Sequence, residues 1–572
     1  MPTGNALATP FPLSSFPGAN PQEGAGRLIN CYAEPLGEGG KGAIAPNVWR
    51  RSPGLSLFAR GSASGYRGGM IANNLAYEAW AGTAATIDAA GNETILGSFP
   101  GTSPISIAHN QVSPTPDVVA VDPNQGAYVL SGGGAPTPYT GGGSMPQPNS
   151  VCFQDGYLFF SIGDGRVFAT DINVLTMNAL SFVTIASRSD VTLLRVIAYS
   201  GLLFCFTTAS LEIWQDTAQP SPGFPYSRSL VLDVGLKQAS AIAGFETGFA
   251  ELLWVDQDAG VRYMAPSSNA PPQKVSPPDL DKLIQKQIDN GAMLEAGCYF
   301  SAGHKFWTLS SPDWTWEFNI DTSRWNERTS LLPTGIYGRW RGKFGHPAFD
   351  KFILGDAQSG NLVVIDNNNY TEVGTPQLFR IESGPIANFP AAMRVARADF
   401  LFDMGVGQVV QHFVMNVTGA ALGTGGVVRL AVNDTSQART GDTVTVAGVG
   451  GTTEANGTWP MTLIDATHIE LVGSAFANAY TSGGSAIDVT APPQMVDPRA
   501  AVSWSLDGGL TFGNPLIRSL GQQGRTKRSR VSVKNLGLAL ALGVRFRLDV
   551  TDPVYTGLLS GTVSADPQEV GP

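Results

Sequence analysis

The side chains best suited to chemistry are few and scattered. Five histidines, His109, His304, His346, His412 and His468, fall in different segments of a 572-residue chain. None forms HExxH, and neither a Gly-Lys-Ser/Thr phosphate loop nor a GxSxG elbow occurs. His304 follows Gly303 at a hairpin and reads as a turn or packing histidine. The four cysteines, Cys31, Cys152, Cys205 and Cys298, are far apart and sit among apolar neighbours, as in Leu203-Phe204-Cys205-Phe206. That spacing indicates neither a zinc site nor a disulfide framework, and buried small hydrophobes are expected. No catalytic, cofactor-binding or metal-ligating residue is therefore assigned. The densest charge is a run of five cations without an acid: Arg525, Lys527, Arg528, Arg530 and Lys534. One reading is a solvated loop and edge strand, where cations discourage unwanted pairing. The other is contact with phosphates or an acidic surface. Strand alternation puts Arg528, Arg530 and Lys534 on one face.

Ser505-Leu506-Asp507-Gly508-Gly509-Leu510-Thr511-Phe512 resembles the Asp-box of sialidases and other propeller glycosidases. The pattern is a hairpin device: Asp and Ser accept backbone N–H bonds, the glycines turn, and the aromatic packs beneath. It occurs once, and no spacing singles out the facing carboxylates that common glycoside hydrolysis needs. The chain is read as a non-enzyme.

Composition shows what must position these residues. The chain holds 68 glycines and 39 prolines, and only 14% of it is charged. Gly and Pro disfavour long helices, costing about 1 and 3 kcal/mol inside one, while 43% apolar residues argue against disorder. At roughly 150 residues per domain, about four domains are expected. A net charge of −10 is not that of a nucleic-acid wrapper. No cation precedes Arg27, so the charged start of a secretory signal is not seen. The apolar stretch around Leu536–Val544 falls far short of the 18 or so residues of a spanning helix.

From about residue 65 to 370 one theme recurs: an apolar strand, a turn, a strand rich in Leu, Phe and Trp, a turn, and a strand ending in Asp or Asn. The clearest copy runs from Val151 to Asp171, with hairpin signals at Asp155-Gly156 and Asp164-Gly165. Other copies begin near Arg195, Ala241, Cys298 and Phe352, and a degenerate first copy covers 66–130. A repeat of roughly 45–55 residues with three or four short strands marks a β-propeller, here of about six blades. One helix is expected over Asp279–Gln287, capped by Asp279 after Pro277-Pro278. Beyond Pro385 the texture changes. Strands at Ala396–Phe402, Ala501–Leu506, Arg530–Lys534 and Gly543–Val550 read as one β-sandwich. Residues 409–492, with six acids and two arginines (Arg429, Arg439), read as a small β-module inserted in it. The expected fold is all-β: residues 1–64 an N-terminal arm with strands joining the sandwich region, 65–385 the propeller, 386–408 with 493–572 a discontinuous sandwich, and 409–492 the module.

Seven stretches stand out: Arg27–Glu34, Arg51–Leu55, Gly303–Leu309, Thr315–Asp321, Arg324–Arg328, Val502–Gly509 and Arg545–Val554. Together they resemble the tail hub or nozzle proteins of short-tailed bacteriophages, the packaged-DNA stabilisation family. Thr443–Trp459 is similar to a small phage tail β-domain named for its likeness to a domain of ubiquitin-activating enzymes. With no cysteine in the block, that likeness implies no ubiquitin chemistry. The resemblance implies a structural virion protein made in the host cytoplasm: a homo-hexameric tube decorated by propellers, below the portal and its head–tail adaptor ring. It would retain packaged DNA and conduct double-stranded DNA at ejection without reading its sequence. A needle or plug would close its end, tail fibre or spike proteins would be further partners, and no cofactor is implied. The cation run would then be a lumen wall, an adaptor contact or a local DNA-holding ring. The competing expectation is a propeller that binds or depolymerises polysaccharide, with a deep axial pocket lined by arginines or paired carboxylates.

Overall fold

A computed structural model describes residues 5–18, 20–37, 45–185, 191–219, 222–266, 271–404, 413–489, 498–521 and 528–567. The all-β expectation holds: a propeller, a sandwich and an inserted β-module. Seven antiparallel four-stranded blades make the propeller, five as separate sheets and two as parts of larger ones, and their inner strands are Gly68–Ala72, Ser106–His109, Ser150–Gln154, Leu193–Tyr199, Ile242–Ala243, Glu295–Ser301 and Gly342–Ala348. The last of these returns against the first. We number the blades 1 to 7 in that order. The ring holds one blade more than the repeats counted above, because residues 66–130 contain two. Their middle strands carry many small buried side chains, such as Ala76, Ala79, Ala84 and Ala120, and large ones such as Trp80 and Phe99 stand at strand ends, so the Leu/Phe/Trp pattern of later copies is weak.

Middle strands such as Val118–Asp122, Leu252–Val255 and Thr315–Asn319 are buried along their whole length. Each blade lies between two others, so both faces of a strand are core and strict alternation is lost. Hydroxyls on or just before the inner strands join blade to blade. Ser106 Oγ accepts the Val151 N–H at 2.8 Å, and Ser150 Oγ accepts that of Val196 at 2.9 Å. Ser240 Oγ donates to Leu294 O at 2.7 Å. At the hairpin of blade 3, Asp155 and Gly156 both have positive φ (50° and 93°), as a type I′ turn requires. At Asp164-Gly165 only the glycine does (95°). Asp164 instead uses its carboxylate to accept from the Arg166 backbone and side chain.

The ring closes through a distant strand. Gly54–Ala59 pairs antiparallel with Leu362–Asp366 and becomes the outer strand of blade 7. The helix spans Pro278–Asp289 and begins after Pro277, with no side-chain cap. Asp279 is therefore not the cap; its carboxylate accepts the Gly18 N–H at 3.2 Å.

Blade 6 continues into the sandwich. Its outer strand Arg324–Leu331 pairs with Arg27–Ile29, then come Phe379–Glu382, Arg545–Val550, Arg499–Ser505 and Leu516–Ser519, all in one ten-stranded sheet. A six-stranded sheet covers it, built from Asn5–Ala8, Cys31–Pro35, Asn47–Arg51, Met393–Asp403, Arg528–Ala539 and Gly557–Pro567. Leu28, Ile381, Phe546 and Leu548 from the first sheet meet Phe400, Phe402, Val533 and Val563 from the second, all fully buried. Each such side chain contributes about 1.5–3 kcal/mol. The inserted module is a closed six-stranded barrel, from Val414–Leu422 to Ser485–Asp488, with its own core. Arg60 of the propeller reaches it through two bonds to Asp434 Oδ1 (3.0 and 2.6 Å).

Candidate functional site

Arg528, Arg530 and Lys534 lie on the outer face of the strand Arg528–Ala539, all three exposed; Arg525 and Lys527 lie outside the described residues. That strand ends its sheet, and Met393–Asp403 is its pairing partner. Arg530 makes two bonds to Asp399 (3.1 and 2.9 Å), and Arg397 makes another at 2.8 Å. Burial pushes the Asp399 carboxyl up, but bonds from Arg530, Ser532 and Arg397 outweigh it and hold the group at about 2. One aspartate thus serves two arginines. Cations on this face outnumber the acids: Arg394, Arg397, Arg528, Arg530 and Lys534 against Asp399, Asp403 and Asp566 among the described residues.

Charged residues also cross the junction between propeller and sandwich. On the ten-stranded sheet, cross-strand register sets Arg27 opposite Glu382 and Glu382 opposite Arg547. Arg27 meets Glu327 of blade 6 (3.0 and 2.5 Å), and that carboxylate pushes the Arg27 guanidinium up. Arg547 meets Glu382 at 2.8 Å, and Arg380 grips Asp549 with two bonds of 2.7 Å. Arg547 also stacks 3.9 Å over the Phe512 ring, the aromatic of the Ser505–Phe512 hairpin. In that hairpin Gly509 N–H donates to Ser505 Oγ (2.8 Å) and Thr511 N–H to Asp507 (3.0 Å). Burial pushes Asp507 up, yet bonds from Ser505 and Thr511 hold it at about 2. This segment fixes a turn.

Beneath lies a fully buried cluster that strand patterns do not reveal. Arg328 bonds to Tyr299 Oη (3.2 Å) and Pro53 O (3.1 Å), and its guanidinium sits 4.5 Å over Trp340. Tyr299 in turn donates to Glu317. Trp340 Nε1 donates to Glu372 at 3.0 Å, and burial pushes the Glu372 carboxyl up against the opposing pull of Arg328. Nearby, Arg51 donates to Gln377 Oε1 (3.1 Å), Val554 O (3.0 Å) and Asp552 O (2.5 Å). Burial lowers it to about 10. Four of the stretches named above, Arg51–Leu55, Thr315–Asp321, Arg324–Arg328 and Arg545–Val554, therefore supply this joint. The one signal in the sequence was a charge set inside an apolar run, Trp316-Glu317-Phe318.

The propeller axis holds a cavity of about 490 Å³. The charged side chains lining it are Arg67, Arg195, Lys237 and Glu246, with His346 beside them. Arg195 bonds Glu246 at 2.6 Å, and Arg67 is committed to Asp122 (2.5 Å). His346 Nε2 lies 3.1 Å from Glu78 Oε1, which is buried behind the wall, and Tyr66 donates to the other oxygen at 2.7 Å. Among the described residues one carboxylate, Glu246, lines the cavity, and it is ion-paired. His304 packs its ring 5.5 Å from that of Tyr32; His412 lies outside the described residues. All four cysteines are free and buried, and burial raises each thiol. Among the described residues no His/Cys/Asp/Glu group could hold a metal ion, and no helix is long and apolar enough to cross a membrane.

A family model described as Phage_stabilise, bacteriophage P22 Gp10, β-propeller, matches residues 39–370, more than half of the chain. The chain belongs to that family. It is a structural protein of the bacteriophage virion, of the kind that stabilises packaged DNA. No curated protein matches. Among solved structures, the WD40 β-propeller domain of Doa1 aligns at 9% identity and a TM-score of 0.33, over 55% of this chain and 96% of its own.

Proposed function

We propose that this member of the Phage_stabilise family is a tail hub or nozzle subunit, which assembles as a homo-hexameric ring below the head–tail adaptor. There it retains packaged DNA and forms the conduit for ejection, with a needle or plug closing the end and fibre or spike proteins docking outside. The observation that carries this reading is the ten-stranded sheet shared by blade 6 and the sandwich. It makes the propeller a rigid appendage of a sandwich whose twelve-residue outer strand, Arg528–Ala539, has one strand partner among the described residues, while Trp504 and Arg518 of the facing sheet donate to its Leu536 and Ser532 carbonyls. An edge of that length with no second strand paired to it among the described residues is a site for strand addition by a neighbouring subunit. The net charge of −10 suits a conduit, since walls poor in cations do not hold phosphates. The cation face of the same strand is then a local contact with DNA or the adaptor.

The function is non-catalytic on this reading. Cleavage of a glycan by the common route needs two facing carboxylates, and the axial cavity offers Glu246 bound to Arg195. The test is DNase protection of filled heads. Particles assembled without the protein should lose their DNA, and adding the purified chain should restore resistance. If the protein binds particles and DNase sensitivity does not change, the proposal fails.

A further inference from the structure

Between blade 7 and the inserted barrel lies a cleft of about 1470 Å³. Its propeller wall is aromatic. Phe300 is 44% exposed and packs on Phe249 and Phe352, with ring centroids 4.4 and 5.9 Å away. Phe349 extends the wall beside Phe58. The barrel adds Phe413 and Val414, the latter 48% exposed. Covering apolar surface of this kind is favourable by roughly 25 cal/mol per Å². One wall belongs to the blade sheet and the other to a closed barrel, and the Arg60–Asp434 ion pair bridges the two.

Charge selects what can cover it. The charged side chains of the cleft are Asp350, Asp366, Asp442 and Asp488 against Lys351 and Arg439. Lys351 is turned onto the Phe58 ring, 5.1 Å from its centroid. On the barrel, Asp488 sits opposite Val444 in the adjoining strand, two residues from Asp442, and its N–H donates to Phe413 O. Burial raises the Asp442 carboxyl and the Asp488 charge adds to this, outweighing the Arg439 N–H (2.7 Å) and charge that pull it down. Two neighbouring carboxyls next to an exposed apolar wall favour a cation carried on an apolar segment.

We propose that the cleft is a docking site for an extended segment of another protein chain that carries a Lys or Arg beside an aromatic or aliphatic residue. The apolar side chain lies against Phe300 and Val414, and the cation lies at Asp442 and Asp488. DNA is repelled by the same carboxylates.

The test is fluorescence anisotropy on the full chain at low salt, with two labelled peptides, Lys-Phe-Ser-Lys-Phe-Ser and Glu-Phe-Ser-Glu-Phe-Ser. The basic peptide should bind saturably at one site, and the acidic one should not. Asp442→Asn with Asp488→Asn should weaken binding about tenfold, which is about 1.4 kcal/mol. Phe300→Ser, on the opposite wall, should do the same without touching the barrel. Absence of saturable binding overturns the proposal. So does equal binding of the two peptides, or binding unchanged in both variants. Self-association seen by sedimentation and abolished by Phe300→Ser would give the cleft to a second copy, and that also overturns it.

Discussion

The Arg328 guanidinium lies 3.8 Å from the Glu317 carboxylate, and neither side chain is exposed to solvent. Glu372 stands 3.9 Å away on the other side, equally buried. This trio ties blade 6 to the segment that follows blade 7, and through Pro53 to the strand that closes the ring. The same guanidinium serves all three pieces, so the propeller and its attachment share one electrostatic anchor.

Removing that anchor leaves two buried carboxylates without their cation. Breaking a buried pair in this way costs about 3–5 kcal/mol. Arg328→Met is expected to lose stability on that scale in urea unfolding, and Arg328→Met with Glu317→Gln to recover part of it. A single variant as stable as the parent would show that the cluster anchors nothing.

Asp399 makes the outer strand acid-sensitive. Its native pKa of about 2 lies below the value of about 3.9 for an unfolded aspartate. It therefore stabilises the fold above pH 4, and that contribution is lost as pH falls from about 4 towards 2. Hydrogen exchange along Arg528–Ala539 should rise over that window, and Asp399→Asn should remove the step.

The seam between blades 7 and 1 has no room for a side chain at Gly355. A Cβ there would come within 1.9 Å of the Tyr66 ring. Gly355→Ala is expected to cost about 1–3 kcal/mol through overpacking. Its thermal midpoint should fall, and exchange should rise first in Gly342–Ala348 and Gly68–Ala72.

Arg528 and Lys534 are exposed on the cation face, so reversing them should leave stability within about 0.5 kcal/mol. Arg528→Glu with Lys534→Glu should still fold but should raise DNA loss from filled particles, most at low salt, where the lost phosphate contacts are least screened. Unaltered retention would remove DNA from the contacts of this face.

Much of the architecture was legible because its signals are local. Strand alternation from Arg528 to Lys534 placed three cations on one face, where they stand in the structure. The Asp155-Gly156 turn was legible for the same reason. What the sequence hid is nonlocal or depends on packing. Asp399, which pairs with Arg530, is 131 residues away in sequence. Gly54–Ala59 reads as part of an N-terminal arm until Leu362–Asp366 meets it. Blades 1 and 2 merged into one repeat because alanines take many of the buried positions on their middle strands. Asp279 looked like a helix cap, but Pro277 precedes the first turn and frees that carboxylate for Gly18.

The most direct measurement of the central claim is the mass and shape of the purified chain, alone and with the head–tail adaptor ring, by native mass spectrometry and negative-stain imaging. A sixfold ring or tube, formed alone or on the adaptor, is the predicted result. A persistent monomer that neither assembles nor docks would contradict it.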